Sequence, residues 1–149
     1  MTGTEKAIAL FTEQERTQLL ELRRALHRVP ELSWQELKTQ ALLKTAIEAA
    51  GIKVVREVAK TGLIARIPGS AKNGAVVAIR GDIDGLPILE ETGLPYASET
   101  PGMMHACGHD VHTSVLLGAA KILKQLENEL SFPVQLLFQP GEEKAPGGA

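Results

Sequence analysis

The sequence predicts an α/β layered fold, and three observations carry that prediction. Two runs with helical apolar spacing precede the first β-rich segments, and a third helical run lies between later ones. Two further segments are apolar enough to read as strands covered by other layers.

Taken in order, residues 1–11 show neither period and read as a loose start. Thr12 followed by Glu15 reads as a capping box. Leu19, Leu20, Leu22 and Leu26 then form a helical stripe that ends before Pro30. Ser33 with Glu36 repeats the start signal, and Leu37, Ala41, Leu42 and Ile47 continue it from Trp34 to Ala50, with Gly51 as the stop. IKVVREV at 52–58, GLIARIP at 62–68 and AVVAIRG at 75–81 are β-rich, and GSAKNG between the last two has the composition of a hairpin turn. Every position of AVVAI is apolar, as in a strand covered on both faces. Residues 82–107 are irregular and rich in Gly and Pro, a length of loop that is usually functional or disordered. A helix is expected over 110–130, with Val115, Leu116, Ala119, Ile122, Leu123 and Leu126 on one face. PVQLLFQP at 133–140 reads as another buried strand, and GEEKAPGGA follows as the kind of turn that leads into a further element. The expectation is therefore a longer natural protein or a truncated gene product.

Composition removes several function classes. The 149 residues suffice for a single core, and 44% hydrophobic with 23% charged residues is an ordinary globular balance. A net charge of -2 without a basic cluster, and only 3% aromatics, give no footprint for nucleic acid. No apolar run reaches the roughly 18 residues of a membrane span, and the charged N-terminus does not read as a secretory signal. One cysteine cannot form an internal disulfide, and a cytoplasmic location is expected.

Three blocks can carry chemistry. In HACGHDVH, residues 105–112, three of the four histidines join the only cysteine. Cys107 and His109 flank a glycine, which lets the chain turn so that thiol and imidazole aim at one point. Both are preferred ligands of zinc and similar cations. The helix start at His109 and Asp110 is expected to lower the cysteine pKa. Taken singly, each residue has an equally good structural reading, as a buried thiol or a helix cap. Together they have no packing rationale. QPGEE, residues 139–143, follows a buried strand, where ligand sites of open α/β sheets collect. One glutamate as ligand and the other as general base divides the work coherently, although a solvated helix start carries about equal weight. RGDIDGLP at 80–87 also follows an apolar strand. Asp82 and Asp84 either orient ligand imidazoles or bond their own backbone in a turn. The RGD tripeptide invites an adhesion reading, but it lies against a strand expected to be buried.

LHRVPELSWQE at 26–36, RGDIDGLPILEETGLPYAS at 80–98, GMMHACGHDVHTSVLLGAA at 102–120 and LLFQPGEE at 136–143 together resemble the aminoacylase-like metallopeptidase superfamily. The branch they resemble is that of hippurate hydrolase, N-acyl-amino acid amidohydrolases and plant auxin-conjugate hydrolases. The resemblance runs from about residue 20 to the end. It implies a three-layer zinc-peptidase-like catalytic domain, of which residues 12–149 are the N-terminal portion, without the lid or dimerisation domain. It implies that Cys107, His109 and Glu143 ligate a di-metal centre of zinc or manganese, with cobalt a further candidate, and that Glu142 is the general acid/base. Asp82 resembles an aspartate that supports the metal site, with Arg80 where wider relatives have a metal histidine, and His105 and His112 shape the site without ligating. Gly85 and Gly141 stand where the branch has alanine and are expected to loosen the backbone.

The implied reaction is hydrolysis of the amide bond of a small-molecule N-acyl amino acid, hippurate-like, with homo-oligomers expected among full-length relatives. Two further metal histidines of the family would lie beyond residue 149, so little or no turnover is expected of this chain alone. Two competing readings are a hydrolase with Cys107 as nucleophile and His105 or His109 as base, and a non-enzymatic binding remnant.

Overall fold

The computed structural model describes residues 2–71 and 74–148. Among them a four-stranded sheet, in the order β1-β2-β4-β3, is packed by helices. The strands are β1 (Lys53–Val58), β2 (Gly62–Ile67), β3 (Val77–Asp82) and β4 (Val134–Gln139), and the helices are α1 (Gly3–Leu10), α2 (Glu13–Arg28), α3 (Leu37–Ala49) and α4 (His109–Gln125). The α/β expectation holds.

Helix α1 replaces the loose start expected for residues 1–11. Thr2 and Glu5 close a reciprocal capping box, yet the helix buries no residue. Thr12 caps α2 by accepting from the Glu15 amide, but the reciprocal half of the expected capping box does not form, since the Glu15 carboxylate pairs with Lys121. The capping box expected of Ser33 and Glu36 does not form. Glu36 makes no side-chain cap at α3, and the Ser33 hydroxyl donates instead to Asp84 Oδ2 at 2.7 Å. Long-range bonds outcompete the local cap at both residues.

The hairpin lies one loop earlier than its composition suggests. β1 pairs antiparallel with β2 across a three-residue loop, Ala59 to Thr61, whose first two residues are at positive φ, whereas β2 and β3 do not pair. Two left-handed residues in succession suit the twist of a tight hairpin without the usual Asn-Gly. Of GSAKNG, Lys72 and Asn73 lie outside the described residues.

β4 takes the middle, antiparallel to β2 and parallel to β3, with Leu63 opposite Phe138 and Asp82 opposite Gln139. Leu63, Ala65 and Ile67 of β2 and Val134, Leu136 and Phe138 of β4 alternate onto one face. There they form one core with Leu43 and Ile47 of α3 and Leu116, Leu117 and Ala120 of α4. The opposite face shows half-buried Ile64 and Leu137 and exposed Arg66. Two of the three implied layers are thus present among the described residues. β3 forms the sheet edge, and Val77 is 47% exposed, contrary to the expectation of a strand covered on both faces. Its C-terminal residues Gly81 and Asp82 are buried, and they lead into the site.

Candidate metal centre

The parallel strands β3 and β4 both end at the same edge, and the N-terminus of α4 arrives beside them. Asp82 closes β3, the loop at 140–143 leaves β4, and His109 opens α4. Gly108 sits at φ 91 as the N-cap of α4, a left-handed conformation that lets Cys107 and His109 converge.

His109 is 2% exposed and anchors the group. Its Nδ1 lies 2.9 Å from the Asp84 carbonyl and 3.2 Å from Asp84 Oδ1. A carbonyl only accepts, so Nδ1 carries the hydrogen and Nε2 keeps the free lone pair. That nitrogen faces Asp82 Oδ1 at 3.7 Å, Glu143 Oε1 at 3.7 Å and Glu142 Oε2 at 3.8 Å. One donor atom each from Cys107, His109 and Glu143 lie within 4.8 Å of one another, and Asp82, His109 and His112 form a second such group. Ligands about 2.0–2.3 Å from a tetrahedral cation stand at about these separations.

Of the two readings open for Asp82 and Asp84, imidazole partners or turn residues, the contacts in the structure are those of imidazole partners. Asp84 orients His109 while its Oδ2 accepts from the Glu143 amide at 3.0 Å, joining the two blocks. Asp82 Oδ1 takes the Nδ1 hydrogen of His112 at 2.7 Å, and Arg80 pairs with Oδ2 at 3.2 Å. His105 belongs to neither donor group. It is 5% exposed, neither ring nitrogen has a hydrogen-bond partner, and burial pushes its pKa down to about 4.

The Cys107 thiol departs from expectation. It is exposed, and its pKa is raised, not lowered. A hydrogen bond to Glu143 is the main cause, followed by burial and the charges of Glu143, Glu142 and Asp82. These fields outweigh the end of α4. For His109 burial alone would lower the pKa, but the bond to Asp84 and the charges of Asp82 and Asp84 raise it. Asp84 is likewise penalised by burial, yet hydrogen bonds from His109, the Glu143 amide and Ser33 hold it well below the usual carboxylate range. A thiol and an imidazole whose pKa values are both raised by neighbouring carboxylates describe a site short of positive charge. A divalent cation fits it.

Other supporting residues carry no local signal. Glu36 is fully buried, accepting from the Thr61 hydroxyl at 2.5 Å and the Gly141 amide at 2.9 Å, so it clamps the loop that presents both glutamates. Gly141 sits at φ 63, and a Cβ there would stand 2.7 Å from the Trp34 ring. Trp34 itself has φ 71. Glycine at 141 is therefore required by its neighbour and does not loosen the site. At Gly85 an added Cβ would press on Pro30 at 3.0 Å. Behind His109, buried Asp110 meets His27 Nδ1 at 2.8 Å, and His27 Nε2 meets Glu90 at 3.2 Å. Arg23 pairs with the same Asp110 oxygen at 2.8 Å. The capping pattern at Glu36 and the histidine in LHR were visible, but their partners were not.

A profile of Peptidase family M20/M25/M40 matches residues 78–149, the part that carries both donor groups. The comparisons support the M20 peptidase superfamily, with amidohydrolases and deacetylases among the relatives. The chain is 50% identical over 130 residues to the N-acetyl-L-cysteine deacetylase of Bacillus subtilis, covering 87% of this chain and 31% of that protein. It is 44% identical over 146 residues to the N-acyl-L-amino acid amidohydrolase of Geobacillus stearothermophilus, covering 98% and 39%. The Bacillus subtilis YXEP protein, a dinuclear metal binding peptidase from the M20 family, superposes with a TM-score of 0.86 at 46% identity, over 91% of this chain and 38% of that one. The fold is that of M20 catalytic domains. The chain spans between 31% and 39% of the length of these relatives.

Proposed function

We propose that residues 12–149 are the N-terminal portion of the catalytic domain of a metal-dependent amidohydrolase that cleaves N-acyl amino acids. The observation that carries this reading is the convergence of Cys107, His109 and Glu143 with Glu142 beside them. Cys107, His109 and Glu143 hold the cation, zinc on the softness of thiolate and imidazole, with manganese or cobalt as the alternatives. When bound, such a cation supplies Lewis acidity and favours ionisation of a water. Glu142 accepts the proton of the water that adds to the acyl carbon and returns it to the departing amine, so that carboxylate and amino acid leave. Asp84 keeps the His109 lone pair aimed and ties Glu143 in place. Asp82 and His112 border the same space, and His105, kept neutral by burial, shapes it.

The substrate class rests on the activities that give the deacetylase and amidohydrolase relatives their names, and the hippurate-like and auxin-conjugate branch on the motifs. A di-metal centre rests on the dinuclear relative, with its further ligands outside these 149 residues. With three donors at the first position, the isolated chain is expected to turn over little or no substrate. Homo-oligomeric assembly of the longer protein and a cytoplasmic location complete the proposal, and no described helix is long and apolar enough to cross a membrane.

Cobalt titration of the 149-residue chain is the test. One Co²⁺ should bind with a thiolate charge-transfer band that Cys107→Ser removes. In a full-length protein carrying these residues, Glu142→Gln should cut kcat by about 10²–10⁴ while metal content stays unchanged. Absence of the thiolate band, or activity that chelators leave intact while thiol alkylation destroys it, would overturn the metal reading in favour of a Cys107 nucleophile or a binding remnant.

A further inference from the structure

The two donor groups at this site are not independent. Each includes His109, and His109 has one lone pair to give, because its Nδ1 hydrogen is committed to the carbonyl of Asp84. A cation on Cys107 and Glu143 therefore excludes a cation bound through His109 to Asp82 and His112. The second group has the makings of a position in its own right. His109 and His112 are three residues apart on one turn of α4, with ring centroids 5.6 Å apart. Asp82, from the end of β3, lies 2.7 Å from one ring and 3.7 Å from the other. Arg80 occupies the other oxygen of Asp82 and leaves Oδ1 turned toward the imidazoles.

We propose that Asp82, His109 and His112 form an alternative cation position that shares His109 with the thiolate position, so that this chain holds one divalent ion at a time in either of two places. The inference rests on the metal reading above. Taking up the ion requires His112 Nδ1 to exchange its hydrogen for the cation. The hydrogen moves to Nε2, which can face solvent because the side chain is 53% exposed. The two places differ in chemistry. Cys107 makes the first a thiolate position suited to zinc and Co²⁺, whereas two imidazoles and a carboxylate suit Ni²⁺ or Mn²⁺ and take Co²⁺ once the thiolate is gone. The metal present thus decides which position is filled, through a single shared nitrogen.

The experiment is cobalt binding to the 149-residue chain in three forms, read by absorbance and by equilibrium dialysis. The unaltered chain should bind one Co²⁺, not two. Cys107→Ser with Glu143→Gln should still bind one Co²⁺, with ligand-field bands but no thiolate band. Adding His112→Asn to that pair should weaken the remaining binding by at least about tenfold. His112 is largely in solvent, so its replacement leaves the core intact, and circular dichroism of each form verifies that. No cobalt retained by the Cys107/Glu143 double variant, or retention indifferent to His112→Asn, overturns the proposal. So does a stoichiometry of two in the unaltered chain. Loss of the thiolate band in the unaltered chain sinks the earlier metal reading instead, since the double variant is measured independently of it.

Discussion

At the residue scale, the site depends on positions whose roles follow from what touches them. Gly141 carries the turn from β4 into the glutamate pair, at positive φ and against the face of Trp34. Gly141→Ala meets two costs at once, about 1–2 kcal/mol for an L side chain in the left-handed region and a further cost from contact with the indole. Thermal or urea denaturation should show the sum, and placing Gly141→Ala in a Trp34→Ala background should recover the contact part but not the backbone part. Equal losses in both backgrounds would show that Trp34 is not the obstacle. Cys107, His109, Glu142 and Glu143 were legible because their chemistry is compressed into two short motifs. Glu36 was legible only as a helix cap, because its true partners, Thr61 and Gly141, lie 25 and 105 positions away.

At the scale of elements, the buried chain from Glu90 through His27 to Asp110 joins the irregular loop, α2 and α4 immediately behind His109. Burial works to raise the Glu90 pKa, but hydrogen bonds from Thr92, the Ser98 amide and His27 lower it overall from 4.5. A carboxyl depressed in the folded state stabilises the fold above its unfolded value and loses that contribution as pH falls through its folded value. Glu90→Gln should therefore lower Tm at neutral pH, by about 3–6 °C for a chain of this size. The gap to the unaltered protein should narrow as the pH is taken below 4.5. A gap that stays constant over that range would show that the charge of Glu90 is not what matters. Periodicity located α2, α3, α4 and β4 because each repeats its apolar spacing over several turns or pleats. It missed α1, whose Thr2 and Glu5 signal was present but backed by no apolar face. It misplaced the hairpin because strand pairing is settled by partners far along the chain. Ala59 and Lys60 lack the composition by which such turns are read.

At the scale of the whole molecule, the sheet ends on β3, with Val76 40% and Val77 47% exposed. Val77 and Ile83 donate their amides to β4, so the alternate amides of Ala78 and Arg80 point off the edge. An open apolar edge recruits other strands. The 149-residue chain should associate with rising concentration in analytical ultracentrifugation. Ala78→Pro, which removes no bond to β4, should shift it toward monomer with little change in Tm. A chain that stays monomeric at high concentration would contradict this account of the edge. The α/β class was legible in the succession of periods, while the exposure of β3 was not, since an apolar run looks the same whichever layer covers it.

Asp84 ties together Ser33, His109 and Glu143, which lie 51, 25 and 59 positions from it. A knot of that span closes only when distant stretches of backbone have already been brought together, and each closure costs loop entropy before any contact repays it. The donors at the strand ends are consequently expected to come into register late in folding, after β3, β4 and α4 have docked. An ion captured there would act as a latch on a finished framework, slowing its opening more than it speeds its assembly.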